Sequence, residues 1–284
     1  MVFSTRIKDT LNGLLSPLNL RLDSLTAEKS EERRLAGLIA GGHFDKAPYA
    51  LSPGMKTFDP SLIAGAYAEY APRIERLKRP ETNDVGYVYP GNTFYRSPDM
   101  EVLYCLVRKL APKRVIEVGC GSSTRICRQA IMDGDLATRI IAIDPWPRVD
   151  IAPHVDQFIQ KRLEEVDADV FAALEAGDVL FIDSSHLVSV GNDCARLFCD
   201  IIPALKKGVI VHVHDVFLPF DYPRHQLVEM KTWGEQYLLH ALLQGARHEL
   251  IWPGYYVQKM RPDLHAQLPF LQGNDAQSFW FRIA

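Results

Sequence analysis

The sequence predicts an α/β fold in which a mostly parallel sheet carries helices on both faces. The first observation is alternation, because short apolar runs and segments of helical periodicity follow one another from about residue 97 onwards. The second is that the runs are apolar throughout, as in strands buried on both sides of a parallel sheet. The third is composition, because 284 residues, 47% hydrophobic and 24% charged, are ordinary values for a globular protein with a sizeable core.

The first part of the chain lacks such strand-like runs and predicts a helical extension, residues 1–80. Apolar residues recur there at helical spacing over 3–22, 26–39 and 61–77, and glycines or prolines separate these segments. Residues 81–96 follow as an aromatic connecting loop, which is predicted either to cover a substrate or to pack as a linker on the sheet edge. Residues 97–284 are predicted to form the ligand-binding domain.

Within this domain a helix is expected to begin at Ser97 and Pro98 and to lead into the first strand. The predicted strands cover residues 115–118, 140–143, 158–163, 179–182, 209–213, 249–252 and 278–283. The predicted helices between them include one that ends near residue 132, one capped by Asp167, and two that cover 192–205 and 225–243.

The turn after the first strand is the most informative stretch of the chain. Residues 114–124 have the sequence R-V-I-E-V-G-C-G-S-S-T, an apolar run that breaks into glycines and then hydroxyls. Gly119 and Gly121 let the backbone approach a ligand, while Ser122 and Ser123 begin the next helix with N–H groups that face the pocket. A dinucleotide-binding loop would have a third glycine where Thr124 stands.

Glu117, Gly119 and Gly121 form an E-x-G-x-G pattern that resembles motif I of the class I S-adenosylmethionine-dependent methyltransferases. The resemblance implies a Rossmann-like class I methyltransferase fold, with a seven-stranded sheet that ends in an antiparallel hairpin. It implies that Glu117 and the glycines hold the methionine end of S-adenosylmethionine, and that Asp144 bonds the ribose hydroxyls. Trp146 is expected either to stack on the adenine or to pack on the sheet edge. Valine at position 119 or 121 is expected to block the cofactor without unfolding the protein.

Acidic residues follow the fourth and fifth predicted strands. Asp183 ends one and the pair His214-Asp215 ends the other, and the carboxyl ends of parallel strands meet at one edge of a sheet. This pattern is similar to the divalent-metal-dependent O-methyltransferases of the catechol and caffeoyl-coenzyme A type, which have an Asp at the first place and Asp-Asn at the second. The resemblance implies a metal held by Asp183, His214 and Asp215, with magnesium first and manganese, iron or zinc as alternatives.

Three histidines lie near this predicted edge. His186 follows Asp183 closely and is predicted to be either a metal ligand or a base, with a helix-capping or loop role as the alternative. The roles of ligand and base are also open for His214. His212 lies deeper in its strand, where a buried core histidine is the expected role. Asp183, His186 and His214 are therefore the predicted catalytic residues.

Substrate contacts are expected from two loops. The aromatic connecting loop contributes Asn92 and Tyr95, and the loop after the fifth strand contributes Tyr222 and Arg224. Trp233 and Gln236 in the following helix are further candidates, and packing in the core is the alternative role for Trp233.

Composition limits the partners. The net charge of -3 gives no broad cationic surface, so no nucleic-acid partner is expected. There is no apolar run long enough to suggest stable membrane insertion, and the chain start lacks the apolar region of a secretory signal. The five cysteines include no C-x-x-C pair, which is typical of free thiols, and we expect a cytoplasmic protein. The N-terminal helices are predicted to pack on the protein itself or on a partner subunit in a homo-oligomer.

Together these features predict an enzyme that transfers the methyl group of S-adenosylmethionine to an oxygen of a small hydroxylated molecule, with help from a divalent metal. One alternative is a metal-dependent enzyme, of the iron oxygenase or zinc hydrolase type, on the same fold without methyl transfer. Another is a non-catalytic interaction protein that binds a partner through its N-terminal helices.

Overall fold

A computed structural model describes residues 5–89, 91, 94–228, 233–245 and 248–284. The chain divides into two compact units, Met1–Lys46 and Ala47–Ala284. In the first unit helix α1, Thr5–Leu15, runs into a 3-10 turn, Ser16–Leu18, and helix α2 covers Thr26–Ala40. Within the described residues, no helix combines the length and the apolar character that crossing a membrane requires. The predicted division at residues 80 and 96 stays a prediction.

The described part of the second unit contains a seven-stranded sheet. Its strands are β1 Arg114–Val118, β2 Arg139–Ile143, β3 Gln157–Ile159, β4 Val179–Ile182, β5 Ile210–Val213, β6 His248–Pro253 and β7 Phe279–Ile283. They lie in the order β3-β2-β1-β4-β5-β7-β6. Strands β1 to β5 are parallel, and β7 runs antiparallel to both β5 and β6. This order confirms the predicted class I methyltransferase fold.

Helices surround the sheet. They are α3 Ser61–Leu77, α4 Asp99–Leu110, α5 Ser122–Gly134, α6 Asp169–Ala172, α7 Asp193–Arg196, α8 Ile202–Ala204, α9 Arg224–Val228, α10 Glu235–Gly245 and α11 Gly254–Met260. A π-helical turn, Leu197–Ile201, joins α7 to α8. Helix α3 packs against α4, and α4 packs against α5. The apolar stripes that predicted α3 and α4 face the core, and Ile63 and Leu106 in them are at most 1% exposed.

The predicted helix over 225–243 is two helices, α9 and α10, and the chain between them includes residues outside the described part. Gly234 stands just before α10, and its N–H donates to the carbonyl oxygen of His186 at 2.9 Å. Trp233 forms an isolated bridge with Leu187. This pairing with a distant segment interrupts the helical pattern and makes Glu235 the first residue of α10.

The strand order places the functional site. The chain passes from β1 through β2 to β3 on one side of the sheet, and then continues with β4 and β5 on the other side. Val118 at the end of β1 is level with Ile143 of β2 and Ile182 of β4. The segments that follow β1, β2 and β4 therefore meet at the switch point, where sheets of this kind bind their ligands.

Candidate active site

Gly119 makes the turn after β1, and it has to be glycine. Its φ is +81°, and a Cβ at this position would lie 1.7 Å from the carbonyl oxygen of Asp183. The expectation that a valine here would leave the protein folded is therefore wrong, because the clash is with main chain that cannot move aside. Gly121 differs, since a Cβ there would meet no atom within 4 Å. A larger side chain at position 121 would project into open space beside the loop.

Glu117 is buried beneath this loop and organises it. Its carboxylate accepts hydrogen bonds from Ser123 Oγ and Thr124 Oγ1, each at 2.6 Å. Thr124 Oγ1 also accepts from the backbone N–H of Gly121 at 3.0 Å, which caps the first turn of α5. Burial raises the pKa of Glu117 to about 7, against the opposing effect of the two hydroxyl donors. Glu117 thus holds the start of α5 in place, and Ser122 is the first residue of that helix.

Asp144 follows β2 and faces the same loop. Its Oδ2 accepts from the N–H of Cys120 at 2.9 Å, and its Oδ1 accepts from the N–H of Trp146 at 2.7 Å. The indole of Trp146 is 70% exposed and lies under the guanidinium of Arg162, with 5.0 Å between the Arg162 Cζ atom and the ring centroid. The ring therefore does not pack into the sheet edge, which was one of its two expected roles.

Two carboxylates and an imidazole meet across the ends of β4 and β5. His186 Nε2 lies 3.4 Å from Asp183 Oδ1 and 3.3 Å from Asp215 Oδ2. One ligand atom from each of these residues lies within 4.8 Å of the other two. His186 and Asp215 adopt left-handed backbone conformations, with φ of +62° and +56°. The side chain of Asp183 is the most exposed of the three, at 29%, against 9% for His186 and 11% for Asp215.

Glu235 lies behind this cluster and was missed in the sequence. Its carboxylate is fully buried and forms a short contact with His186 Nδ1. The ring of Trp233 lies 4.4 Å from that of His186, centroid to centroid. The signal in the sequence is the glycine at 234, which should have ended the predicted helix and placed a new helix start at Glu235.

Charge within the cluster is unbalanced. Burial lowers the pKa of His186, but Glu235 together with Asp183 and Asp215 outweighs it and raises that pKa well above its usual value. Burial raises the pKa of Asp183, yet His214 and His186 outweigh it and hold that pKa below its usual value. Among the described residues, His186 is the one basic side chain within ion-pair distance of Asp183, Asp215 and Glu235.

His214 does not belong to this set of three, although the sequence placed it among the metal ligands. Its ring packs 4.7 Å from the ring of Tyr95, centroid to centroid, because alternate residues of a strand face opposite sides and Asp215 projects the other way. His212 is a buried core histidine, stacked on Phe181 at 3.9 Å and 4.6 Å from Trp280. Burial lowers the pKa of His212 well below its usual value.

The expected substrate residues are spread out. Tyr95 is 1% exposed and packs against the rings of Phe181 and His214. Tyr222 is also buried, its hydroxyl accepts from the N–H of Gln236 at 3.2 Å, and its ring lies 6.0 Å from Trp233. Arg224 is exposed at the start of α9. Asn92 lies outside the described residues.

The donor set suits a divalent cation. Two carboxylate oxygens and one imidazole nitrogen are converging ligands, and the other ring nitrogen is held by a carboxylate, as in many protein metal sites. On the opposite side of the switch point, the open face at Gly121 and the carboxylate of Asp144 suit a polar ligand with hydroxyl groups.

Comparison with solved structures finds similar folds at low identity. Podospora anserina methyltransferase PaMTH1, with bound SAH, is 13% identical with a TM-score of 0.43, over 93% of this chain and 99% of that one. An O-methyltransferase from Bacillus cereus in complex with SAH is 12% identical with a TM-score of 0.41, over 80% and 92%. The CmcI structure with Mg and SAM is 13% identical with a TM-score of 0.40, over 72% and 79%. Similarities this low leave the chemistry of this chain to its own residues.

The family comparison is independent of these structures. No curated protein matches the chain. Residues 116–216 match the family model described as a methyltransferase domain. The match begins in β1, two residues before the end of that strand, and ends just after Asp215, so it includes Glu117, both loop glycines, Asp144 and the three clustered residues. Residues 116–216 therefore carry a methyltransferase domain, which confirms the family resemblance of the E-x-G-x-G pattern.

Proposed function

We propose that this protein is an S-adenosylmethionine-dependent methyltransferase that methylates an oxygen of a small hydroxylated molecule with the help of a divalent metal. One observation carries the proposal. The segment after β1, with its glycine loop, and the segment after β4, with Asp183, touch through the backbone at Gly119. A donor held by the loop and an acceptor held by the acidic cluster would then be neighbours, as an in-line transfer requires.

The cofactor side of the site is formed by residues after β1 and β2. Gly121 leaves open space beside the loop, and Glu117, Ser123 and Thr124 hold that loop rigid. Asp144 is placed to accept hydrogen bonds from ribose hydroxyls, since each carboxylate oxygen can accept more than the single bond it has here. The exposed ring of Trp146 offers a face on which an adenine can stack. When bound, S-adenosylmethionine supplies a methyl group on a positively charged sulfur.

The acceptor side is formed by residues after β4 and β5. Asp183, His186 and Asp215 would hold a divalent ion, which supplies positive charge that lowers the pKa of a substrate hydroxyl. Asp183 has the most exposed side chain of the three, so we assign to it the contact with the acceptor hydroxyl and its proton. Trp233 and Tyr222 form an aromatic wall beside His186, which favours an acceptor with an apolar face.

Calorimetry tests the cofactor side and the acceptor side of the site separately. Chelator-treated protein is titrated with S-adenosylmethionine, and the titration is repeated after addition of magnesium, manganese, iron(II) or zinc. We expect micromolar binding of S-adenosylmethionine with or without metal, because the approach of the glycine loop to Asp183 at Gly119 is between main-chain atoms. Gly121→Val should fold and lose this binding, while Gly65→Val on the exposed side of α3 serves as a matched control, since a Cβ there also meets nothing within 4 Å.

The outcomes separate the rival functions. Metal binding without S-adenosylmethionine binding would support a metal-dependent enzyme of another reaction class. Binding of neither would support a non-catalytic interaction protein. In either case the proposed methyl transfer would be wrong.

A further inference from the structure

We infer that Glu235 is a positioning residue that fixes His186 as a nitrogen ligand, and that the metal centre therefore prefers a divalent transition metal to magnesium. The inference rests on the acidic cluster of the proposed function, but it concerns metal choice and not methyl transfer. Neither Glu235 nor a nitrogen-dependent metal preference is contained in the resemblance to the catechol-type enzymes, whose corresponding pattern is Asp with Asp-Asn.

The first step is the direction of the imidazole ring. Glu235 contacts His186 Nδ1, so the opposite nitrogen, Nε2, has to face away from α10. It faces the two carboxylates, at 3.4 Å from Asp183 Oδ1 and 3.3 Å from Asp215 Oδ2. A carboxylate that holds one ring nitrogen sets both the tautomer and the orientation of the other, which is the arrangement that supports histidine ligands in metal sites.

The second step is that the backbone of His186 is held by the same segment. Its carbonyl oxygen accepts from the N–H of Gly234 at 2.9 Å, and Leu187 pairs with Trp233. The Trp233 ring packs 4.4 Å from the imidazole. His186 keeps a left-handed backbone, φ +62°, which is uncommon for a side chain of this size. The start of α10 and the residues just before it thus hold both the main chain and the ring of His186.

The third step is the cost of burying Glu235. Its side chain is fully buried, and its strong contact is with His186, apart from a long contact of 3.9 Å with the thiol of Cys194. A buried carboxylate is expensive unless it is well paired. With Asp183 and Asp215, three carboxyl groups share this one imidazole, so when they are ionised even a protonated imidazole leaves the cluster with net negative charge. A divalent cation between Asp183, His186 and Asp215 would offset that charge.

The fourth step is the chemistry of the donor set. Magnesium prefers oxygen ligands in octahedral geometry, whereas manganese, iron, cobalt and zinc accept imidazole readily. A nitrogen donor that is fixed in place should therefore favour the transition metals. If the contact between Glu235 and His186 were only structural, changing Glu235 would alter stability and leave the metal preference as it was.

The test uses the full chain after chelator treatment, titrated calorimetrically with cobalt(II) chloride and with magnesium chloride. We expect the unmodified protein to bind cobalt at least about tenfold more tightly than magnesium. Glu235→Gln should weaken cobalt binding about 10- to 100-fold, the usual effect of losing a carboxylate that supports a histidine ligand, with little change for magnesium. The visible absorption of the cobalt complex, which reports nitrogen ligation, should change in parallel.

Two variants complete the design. Glu101→Gln is the matched control, because Glu101 is equally buried but pairs with Ser97 and Lys78. It should leave both affinities unchanged. His186→Asp makes the ligand set all oxygen and keeps a residue type that tolerates a left-handed backbone, so it should reduce the preference for cobalt over magnesium at least about tenfold.

Equal cobalt and magnesium affinities in the unmodified protein would overturn the inference. So would cobalt binding by folded Glu235→Gln that matches the unmodified protein. If circular dichroism shows that Glu235→Gln does not fold, the test is the preference of His186→Asp for cobalt over magnesium. A preference equal to that of the unmodified protein would then overturn the inference. Titration with S-adenosylmethionine is independent of these results, so methyl transfer can stand while the metal inference fails.

Discussion

The two halves of the candidate site differ in how their polar groups are satisfied. In the half formed after β1 and β2, both oxygens of Glu117 and both oxygens of Asp144 accept hydrogen bonds from the protein. In the half formed after β4 and β5, Asp183, Asp215 and Glu235 all depend on His186. The first half is self-sufficient as a structure, whereas the second carries excess negative charge. This difference indicates that the glycine loop is preformed, and it supports the proposal that a cation completes the acidic half.

The largest effect should come from breaking the contact that joins the two halves. Gly119→Val forces a Cβ against the backbone of Asp183 in a left-handed conformation, and we expect a loss of more than about 4 kcal/mol in the free energy of unfolding. Urea unfolding or, more simply, insoluble expression would report it. Gly121→Val, with open space at its Cβ, is the folded counterpart. A stable Gly119→Val protein would mean that the two loops can separate.

Glu117, in the first half of the site, should make the free energy of unfolding of the protein depend on pH. Its pKa is raised from 4.5 to about 7 in the folded protein, so the folded state keeps a proton that the unfolded state loses between these values. The resulting stabilisation is complete below pH 4.5, the pKa of Glu117 in the unfolded chain, and it disappears as the pH rises through about 7. Relative to Glu117→Gln, which stays neutral, the free energy of unfolding should fall by about 3 kcal/mol over this range.

Urea unfolding of both proteins at a series of pH values measures this difference. Other carboxylates contribute equally to both proteins and cancel. A difference that stays constant between pH values near 4 and 8 would show that the pKa of Glu117 in the folded protein equals its value in the unfolded chain.

Removal of either of the two aspartates that face His186 should separate the properties of the two halves. We expect Asp183→Asn and Asp215→Asn each to weaken metal binding by about 100-fold or more, because a direct ligand matters at least as much as a residue that supports one. Affinity for S-adenosylmethionine should stay within a fewfold of normal. Paired calorimetric titrations check this. Equal loss of both affinities would instead show that the two halves fold or bind as one unit.

The smallest effect is expected at Asp144. Asp144→Ala should weaken binding of S-adenosylmethionine by about 1.5 to 3 kcal/mol, the range for hydrogen bonds to a charged group, with metal affinity unchanged. Asp150→Ala is a suitable control, because Asp150 also accepts from a loop N–H, that of Ala152 at 3.1 Å, but lies outside the glycine loop. An unchanged dissociation constant for Asp144→Ala would place the ribose contact elsewhere.

Patterns among neighbouring residues predicted the fold and most of the half of the site formed after β1 and β2. The strand predicted over 179–182 coincides with β4, and the helix predicted over 61–77 coincides with α3, because continuous apolar runs and helical stripes depend on nearby residues. The glycine loop and Asp144 were found because their spacing along the chain is part of the motif. Gly119 was understood only in part, since the backbone of Asp183 that forbids a side chain there belongs to another strand.

The second half depends on contacts between distant residues, and sequence patterns predicted it less well. Asp183 and Asp215 followed from the rule for strand ends. His186 was left open as ligand or base. Glu235 was given no role, because it lies 49 residues further along the chain within an apparent helix. The helical period continued across Gly234, but the pairing of Trp233 with Leu187 ended it. A pattern read from neighbouring residues cannot show a contact between segments that are distant in the sequence.

The close approach of Gly119 to Asp183 means that main-chain contacts fix the distance between the glycine loop and the acidic cluster. The N–H of Asp183 donates to the carbonyl oxygen of Val118 at 2.9 Å, and the carbonyl of Asp183 rests against Gly119, so no side chain sets this spacing. If the loop that carries Tyr222 and Arg224 contacts the acceptor, as the sequence predicts, it can vary without altering the distance between the glycine loop and the acidic cluster. Exchange of that loop alone would then change the proposed acceptor and leave this main-chain distance unchanged.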